Sequence, residues 1–139
     1  MRPRVLVVDD DLAIRRALAR ELRSDFEVTL VPDYEQAVAQ LGGPPFAAVI
    51  TDYELGPGPD GLSLLTLVAE RTTEVLRILI SASNERHRIE EALADGVVHR
   101  FLPKPWPPGE LVATLHRYSR SGTMRRVRQS SRPTAKQKR

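Results

Sequence analysis

Val5-Leu6-Val7-Val8-Asp9-Asp10-Asp11 places a run of apolar, mostly β-branched residues directly against three carboxylates. Such a run reads as a short strand buried on both faces, and the charges that follow mark where it leaves the core. Four further runs share this character. The strands predicted from them are Arg4–Val8, Phe26–Leu30, Ala47–Thr51, Leu76–Ser81 and Val98–Leu102. Between them the apolar period changes from two to between three and four. Ile14, Ala17, Leu18 and Leu22 fall on one helical face, as do Tyr34, Ala37, Val38 and Leu41. Leu64, Leu67 and Val68 repeat the pattern, followed by Ile89, Ala92 and Leu93, and then by Leu111, Leu115 and Tyr118. Alternation of this kind builds an α/β domain on a parallel sheet, with five strands and five helices.

Local chemistry agrees with these boundaries. Asp11, Asp33, Asp60 and Asn84 suit N-caps, and Pro107-Pro108 suits the opening turn of the last helix. Gly42-Gly43 and Gly96 stand where helices should stop. At 139 residues one hydrophobic core is expected. Cysteine is absent, which excludes disulfides and thiolate chemistry and suits a reducing cytoplasm. The first apolar run is too short for a signal sequence or a membrane span, so the protein is expected to be soluble and intracellular.

The net charge of +3 conceals a division along the chain. All 18 acidic residues lie at or before Glu110, whereas eight of the 21 basic residues follow Ser119. Residues 1–118 therefore set 13 basic against 18 acidic groups, a net of −5, and the tail 119–139 is purely basic. With Met124 and Val127 as its only larger apolar residues, the tail lacks the surface to offset its ordering entropy and is expected to be disordered alone.

In a parallel α/β sheet, functional residues gather beyond the carboxyl ends of the strands. Those ends carry Asp9-Asp10-Asp11, Asp52, Ser81 and Pro103-Lys104-Pro105. Asp9, Asp10 and Asp52 could crowd together only with raised pKa values or a bound cation, and oxygen-rich sites of this kind suit Mg²⁺. Asp52 would then be a carboxylate nucleophile, with Lys104 and the Ser81 hydroxyl stabilising charge on a transferring phosphoryl group. Simpler roles compete. Asp11 is expected only to cap the first helix, Lys104 could be a solvated loop lysine, and Ser81 has meaning only beside Asp52 and Lys104. His87, His99 and His116 are read as surface or packing residues. Trp106 could equally pack on the last helix or meet a partner.

Val-Leu-Val-Val-Asp-Asp-Asp at 5–11, Val-Ile-Thr-Asp at 49–52, Ile-Leu-Ile-Ser-Ala at 78–82 and Phe-Leu-Pro-Lys-Pro-Trp at 101–106 together resemble the receiver domains of bacterial response regulators, over residues 4–118. The resemblance implies a flavodoxin-like, doubly wound (βα)5 fold and a stand-alone receiver domain at 1–118. It implies that Asp52 accepts a phosphoryl group from a sensor histidine kinase or phosphotransfer protein, as a self-catalysed signalling switch and not as a metabolic enzyme. It further implies that Asp10, Asp52 and the Glu54 backbone carbonyl bind Mg²⁺, with Asp9 acting mostly through water. Ser81 would contact the phosphoryl group, Lys104 would pair with it, and the Lys104-Pro105 bond would be cis. Phe101 would be the aromatic switch, and Glu54 and Ser83 would tune the lifetime of the acyl phosphate.

Output would pass to a downstream protein through the fourth helix, fifth strand and fifth helix, including Arg86, Arg88, Glu91, Glu110, Thr114 and Arg117, with possible homodimerisation on phosphorylation. Two features depart from the family pattern. One residue is inserted in Leu55-Gly56-Pro57-Gly58-Pro59, and Phe101 lacks a tyrosine hydroxyl. A rival reading makes the chain a nucleic-acid or acidic-partner binding protein acting through its basic tail. A third, an independent Mg²⁺-dependent hydrolase, lacks an apparent general acid near Asp52.

Overall fold

A computed structural model describes residues 2–72, 74–82 and 85–120, with side chains through residue 118. Strands and helices alternate: β1 Arg4–Val8, α1 Leu12–Leu22, β2 Glu27–Val31, α2 Tyr34–Leu41, β3 Ala48–Asp52, α3 Gly61–Arg71, β4 Leu76–Ser81, α4 Arg86–Ala94, β5 Arg100–Pro103 and α5 Glu110–Arg120. The strands form one parallel sheet in the order β2-β1-β3-β4-β5. This is the doubly wound, flavodoxin-like arrangement expected from the sequence.

Strand periodicity divides the core into two layers. Leu6, Val8, Val49 and Leu79 join Ala37, Leu64, Leu65, Val68, Ile89 and Ala92 of α2, α3 and α4. Their neighbours Val5, Val7, Ile50, Ile78 and Ile80 face the other way, onto Leu18, Leu22, Leu111 and Leu115 of α1 and α5. β3 and β4 are buried along their whole length because helices cover both faces, whereas the edge strand β2 is partly exposed.

Asp11, Asp33 and Asp60 cap their helices through side-chain oxygens that accept backbone N–H groups at 2.8–2.9 Å. Gly96 follows α4 with φ +81°, a conformation that favours glycine. Asn84 lies outside the described residues, and Glu85 precedes α4 without capping it through its side chain.

Several bounds differ from expectation. β2 and β3 each sit one residue later, so Phe26 lies before its strand and Asp52 lies inside its own, opposite Ile80. β5 begins at Arg100 because the preceding backbone still closes α4, with the Val97 and Val98 N–H groups donating to the Ala92 carbonyl. α5 begins at Glu110 instead of the proline pair. Glu110 N–H donates to the Pro107 carbonyl at 3.0 Å, and Gly109 takes φ +83°, making a turn where a first helical turn was expected. α5 runs through Arg120, and the tail from 121 onward lies outside the described residues. Among those described, no helix is long and apolar enough to cross a membrane.

Candidate functional site

Register brings the strand ends level. Val8 pairs with Thr51, Asp52 with Ile80 and Ser81 with Pro103, so Asp9, Asp52, Ser81 and Lys104 emerge along one edge of the sheet. One ligand oxygen each from Asp9, Asp10 and Asp52 lies within 4.8 Å of the others. Asp9 is fully buried, Asp52 nearly so, and Asp10 is exposed. Lys104 Nζ bridges the two buried carboxylates, at 3.1 Å from Asp9 Oδ2 and 3.2 Å from Asp52 Oδ2. The Asp11 N–H fixes the other Asp9 oxygen at 2.9 Å, and the Arg15 guanidinium donates to the Asp9 carbonyl at 2.8 Å.

Lys104 is held in turn by its own backbone, which donates to the Ser81 carbonyl at 2.9 Å. The Lys104-Pro105 bond is cis, as the resemblance implied. Ser81, buried at the end of β4, thus stands next to the strand that ends in Asp52.

The electrostatics are those of a cation site. Burial raises the Asp52 pKa, Lys104 opposes this, Asp9 adds to it, and a hydrogen bond from the Glu54 backbone favours the charged form. For Lys104, burial alone would favour the neutral amine, but Asp52 and Asp9 override it and raise the pKa. One ammonium facing three carboxylates leaves an excess of negative charge. An oxygen-only donor set with that excess fits a hard divalent cation.

A second ring of contacts surrounds Asp52. Its carbonyl accepts from the Thr51 hydroxyl at 2.9 Å, and the start of α3 presses on that same carbonyl at Gly61. Gly61 N–H donates to the Tyr53 carbonyl at 2.7 Å. The inserted loop is anchored by buried Leu55 and turns at Gly56 and Gly58, both with positive φ. Gly56 borders Asp10: a Cβ there would lie 3.8 Å from its carboxylate.

Arg88 differs most from expectation. Its guanidinium donates to the Tyr53 hydroxyl at 2.5 Å and lies 3.5 Å from Asp60, on the α3 side of α4. Arg88 and Glu91 line a groove between α3 and α4, and Thr114 is fully buried, bonded to the Glu110 carbonyl. These three therefore leave the predicted output face. Residue spacing names the helix but not the direction a long side chain takes, and the crowding at Gly61 depends on a close backbone approach that spacing does not carry.

Phe101 is partly buried against the α2–α4 layer, opposite Leu79. Trp106 packs against the α1 and α5 layer. His116 pairs with Asp25 at 2.8 Å and His99 packs beneath β4, consistent with packing roles. Ser83 lies outside the described residues.

A family model described as the response regulator receiver domain matches residues 5–116. The chain is 35% identical over 111 residues to the hydrogenase transcriptional regulatory protein HoxA of Bradyrhizobium diazoefficiens, covering 80% of this chain and 23% of that one. It is 32% identical to the response regulator protein FleR of Pseudomonas aeruginosa, covering 86% of this chain and 25% of FleR. This chain thus spans about a quarter of those relatives. Among solved structures, the signal receiver domain of an HD domain-containing protein from Pseudomonas fluorescens superposes with a TM-score of 0.81 at 28% identity, over 91% of this chain and 93% of that one. The chemotaxis response regulator CheY4 of Vibrio cholerae superposes with a TM-score of 0.74 at 25% identity, over 84% and 98%.

Proposed function

The chain belongs to the family of response regulator receiver domains, which carry a phosphoacceptor role in two-component signalling, and on that premise we propose that Asp52 is the acceptor. One observation carries this reading: Lys104 reaches across the sheet edge to hold Asp9 and Asp52 together in a nearly buried pocket. An Asp52 carboxylate oxygen attacks the phosphorus of a phosphohistidine on a sensor kinase or phosphotransfer protein. The P–N bond breaks, the imidazole leaves with a proton, and an acyl phosphate forms on Asp52. Lys104 and the Ser81 hydroxyl stabilise the charge that develops on the phosphoryl oxygens.

Asp9, Asp10 and Asp52, with the Glu54 carbonyl, would hold Mg²⁺, which when bound supplies further positive charge beside those oxygens. Transfer changes affinity for a downstream partner through α4, β5 and α5. That face keeps exposed Arg86, exposed Leu93 and the Arg100–Glu110 ion pair at 3.8 Å, with Phe101 as the ring that turns when Ser81 engages the phosphate. The cysteine-free composition suits the reducing cytoplasm, where we place this exchange.

Incubation with acetyl phosphate and Mg²⁺, read by intact mass, should add one base-labile phosphoryl group that EDTA prevents and Asp52→Asn abolishes. No gain in mass, or a gain that persists in Asp52→Asn, rules the assignment out.

A further inference from the structure

Tyr53 follows Asp52 directly, and its backbone is fixed on two sides. Its N–H donates to the Ile80 carbonyl of β4 at 2.8 Å, and its carbonyl accepts the Gly61 N–H at the start of α3 at 2.7 Å. The side chain reaches a third element. Its ring is buried in the layer that holds Ile89 and Ala92 of α4, and its hydroxyl accepts from the Arg88 guanidinium at 2.5 Å. The residue next to the proposed acceptor therefore joins β4, α3 and α4.

Arg88 meets this connection at three points. Besides bonding the hydroxyl, its guanidinium carbon stands 5.6 Å from the centre of the Tyr53 ring, and the same nitrogen lies 3.5 Å from Asp60 Oδ2. The other Asp60 oxygen accepts the Ser63 N–H at 2.9 Å and caps α3. The Arg88 side chain is 52% exposed, so its ion pair with Asp60 contributes little. A charged donor on the hydroxyl of a buried tyrosine makes the stronger bond, and one costly to leave unmade. On the α4 side the contact falls in the first turn, where Glu85 supplies no side-chain cap and Ile89, beside Arg88, is the first buried residue. Phe101, in the same layer, carries no polar side-chain atom and can couple to its neighbours only by packing.

We propose that Arg88 is a positioning residue for the acceptor, and that its bond to the Tyr53 hydroxyl couples the orientation of α4 to the backbone at Asp52. A partner that moves α4 shifts Asp52 through this bond, and a change at Asp52 reaches α4 by the same route, with equal coupling in both directions. The inference rests on Asp52 as the acceptor and adds the side chains that carry its state to α4.

Beryllofluoride with Mg²⁺, standing in for a phosphoryl group, tests this on the full chain by NMR. In wild type it should shift the amides of Asp10, Asp52 and Lys104 at the site and those of Ile89, Glu90 and Glu91 on α4. Tyr53→Phe keeps the ring, and Arg88→Gln changes a half-exposed side chain, so both should fold. Each should leave the site shifts in place and reduce the α4 shifts about threefold. The double variant should lose no more than either single one, because both changes break one bond. A bond that only stabilised the fold would lower the urea midpoint and leave the α4 response intact. Full α4 shifts in either single variant, or losses that add in the double, overturn the coupling alone. So does an equal loss in Asp60→Asn, which keeps a capping oxygen and would assign the effect to the ion pair. A wild type whose site amides do not respond fails earlier, at the acceptor assignment, and the coupling falls with it.

Discussion

A Cβ at residue 61 would lie 2.1 Å from the Asp52 carbonyl oxygen and 2.9 Å from its carbon. Both are backbone atoms, so no rotamer change relieves the clash. Gly61→Ala should cost about 3 kcal/mol in urea unfolding, near the upper end for overpacking. Because the atom displaced belongs to Asp52, the proposed acceptor, the variant should also phosphorylate more slowly. Gly58 offers the contrast: its φ of +98° makes alanine strained, but a Cβ would meet nothing within 4 Å. Gly58→Ala should therefore cost only about 1 kcal/mol and leave phosphorylation near normal. Equal losses for the two variants would refute the steric account. Asp9, Asp10, Asp52 and Lys104 were legible in the sequence because a parallel sheet gathers whatever follows its strands, even residues 95 positions apart. Thr114, Arg88 and Gly61 were not legible in that way, since their roles depend on side-chain direction and close backbone approach, which apolar periodicity does not encode.

Beneath the site, one buried arginine ties β4 to the turn between α4 and β5. The Arg77 guanidinium donates to the carbonyls of Val97 at 2.8 Å, Gly96 at 3.0 Å and Val75 at 3.1 Å, while its backbone N–H donates to His99 Nδ1 at 2.9 Å. Burial, and next the Arg77 charge, push the His99 pKa down to about 4. The unfolded chain binds that proton near pH 6.5, so acidification favours unfolding. This contribution is absent above about pH 6.5, grows as pH falls and levels off near 4, with a loss of up to about 3 kcal/mol. His99→Asn keeps an acceptor for the Arg77 N–H and cannot titrate in this range. Urea unfolding between pH 7 and pH 4.5 should therefore show wild type losing more stability than the variant, and parallel curves would exclude His99 as the cause. The five strands and five helices were readable from period and caps, because burial on both sheet faces demands continuous apolar runs. Their ends were less so. At β3 the ladder continues into a polar residue, with Tyr53 N–H donating to the Ile80 carbonyl at 2.8 Å beyond Asp52, and at α5 a proline pair builds a turn where it could equally have begun the helix.

Across the whole molecule, charge is segregated: residues 1–118 carry a net −5, and part of that excess is concentrated where Asp9, Asp10 and Asp52 converge. A dication at that point is tied to folding, because the three carboxylates come together only in the native state, and selective binding there stabilises the fold by mass action. At a free Mg²⁺ concentration ten times the dissociation constant the gain is about 1.4 kcal/mol, which for a domain of this size raises the thermal midpoint by about 5 °C. Burial raises the Asp52 pKa, so protons compete with the cation at a higher pH than at an ordinary carboxylate, and the Mg²⁺-dependent gain should shrink as the solution is acidified. Asp10 is the exposed member of the trio, and Asp10→Asn removes one ligand charge while leaving the Lys104 bridge between Asp9 and Asp52 in place. That variant should fold normally and lose most of the Mg²⁺ response. Measuring both proteins by calorimetry in MgCl₂ and in NaCl of matched ionic strength separates site binding from general screening of an acidic body. An equal rise in the two salts, or a response unchanged by Asp10→Asn, would mean that the converging carboxylates are not where the ion acts.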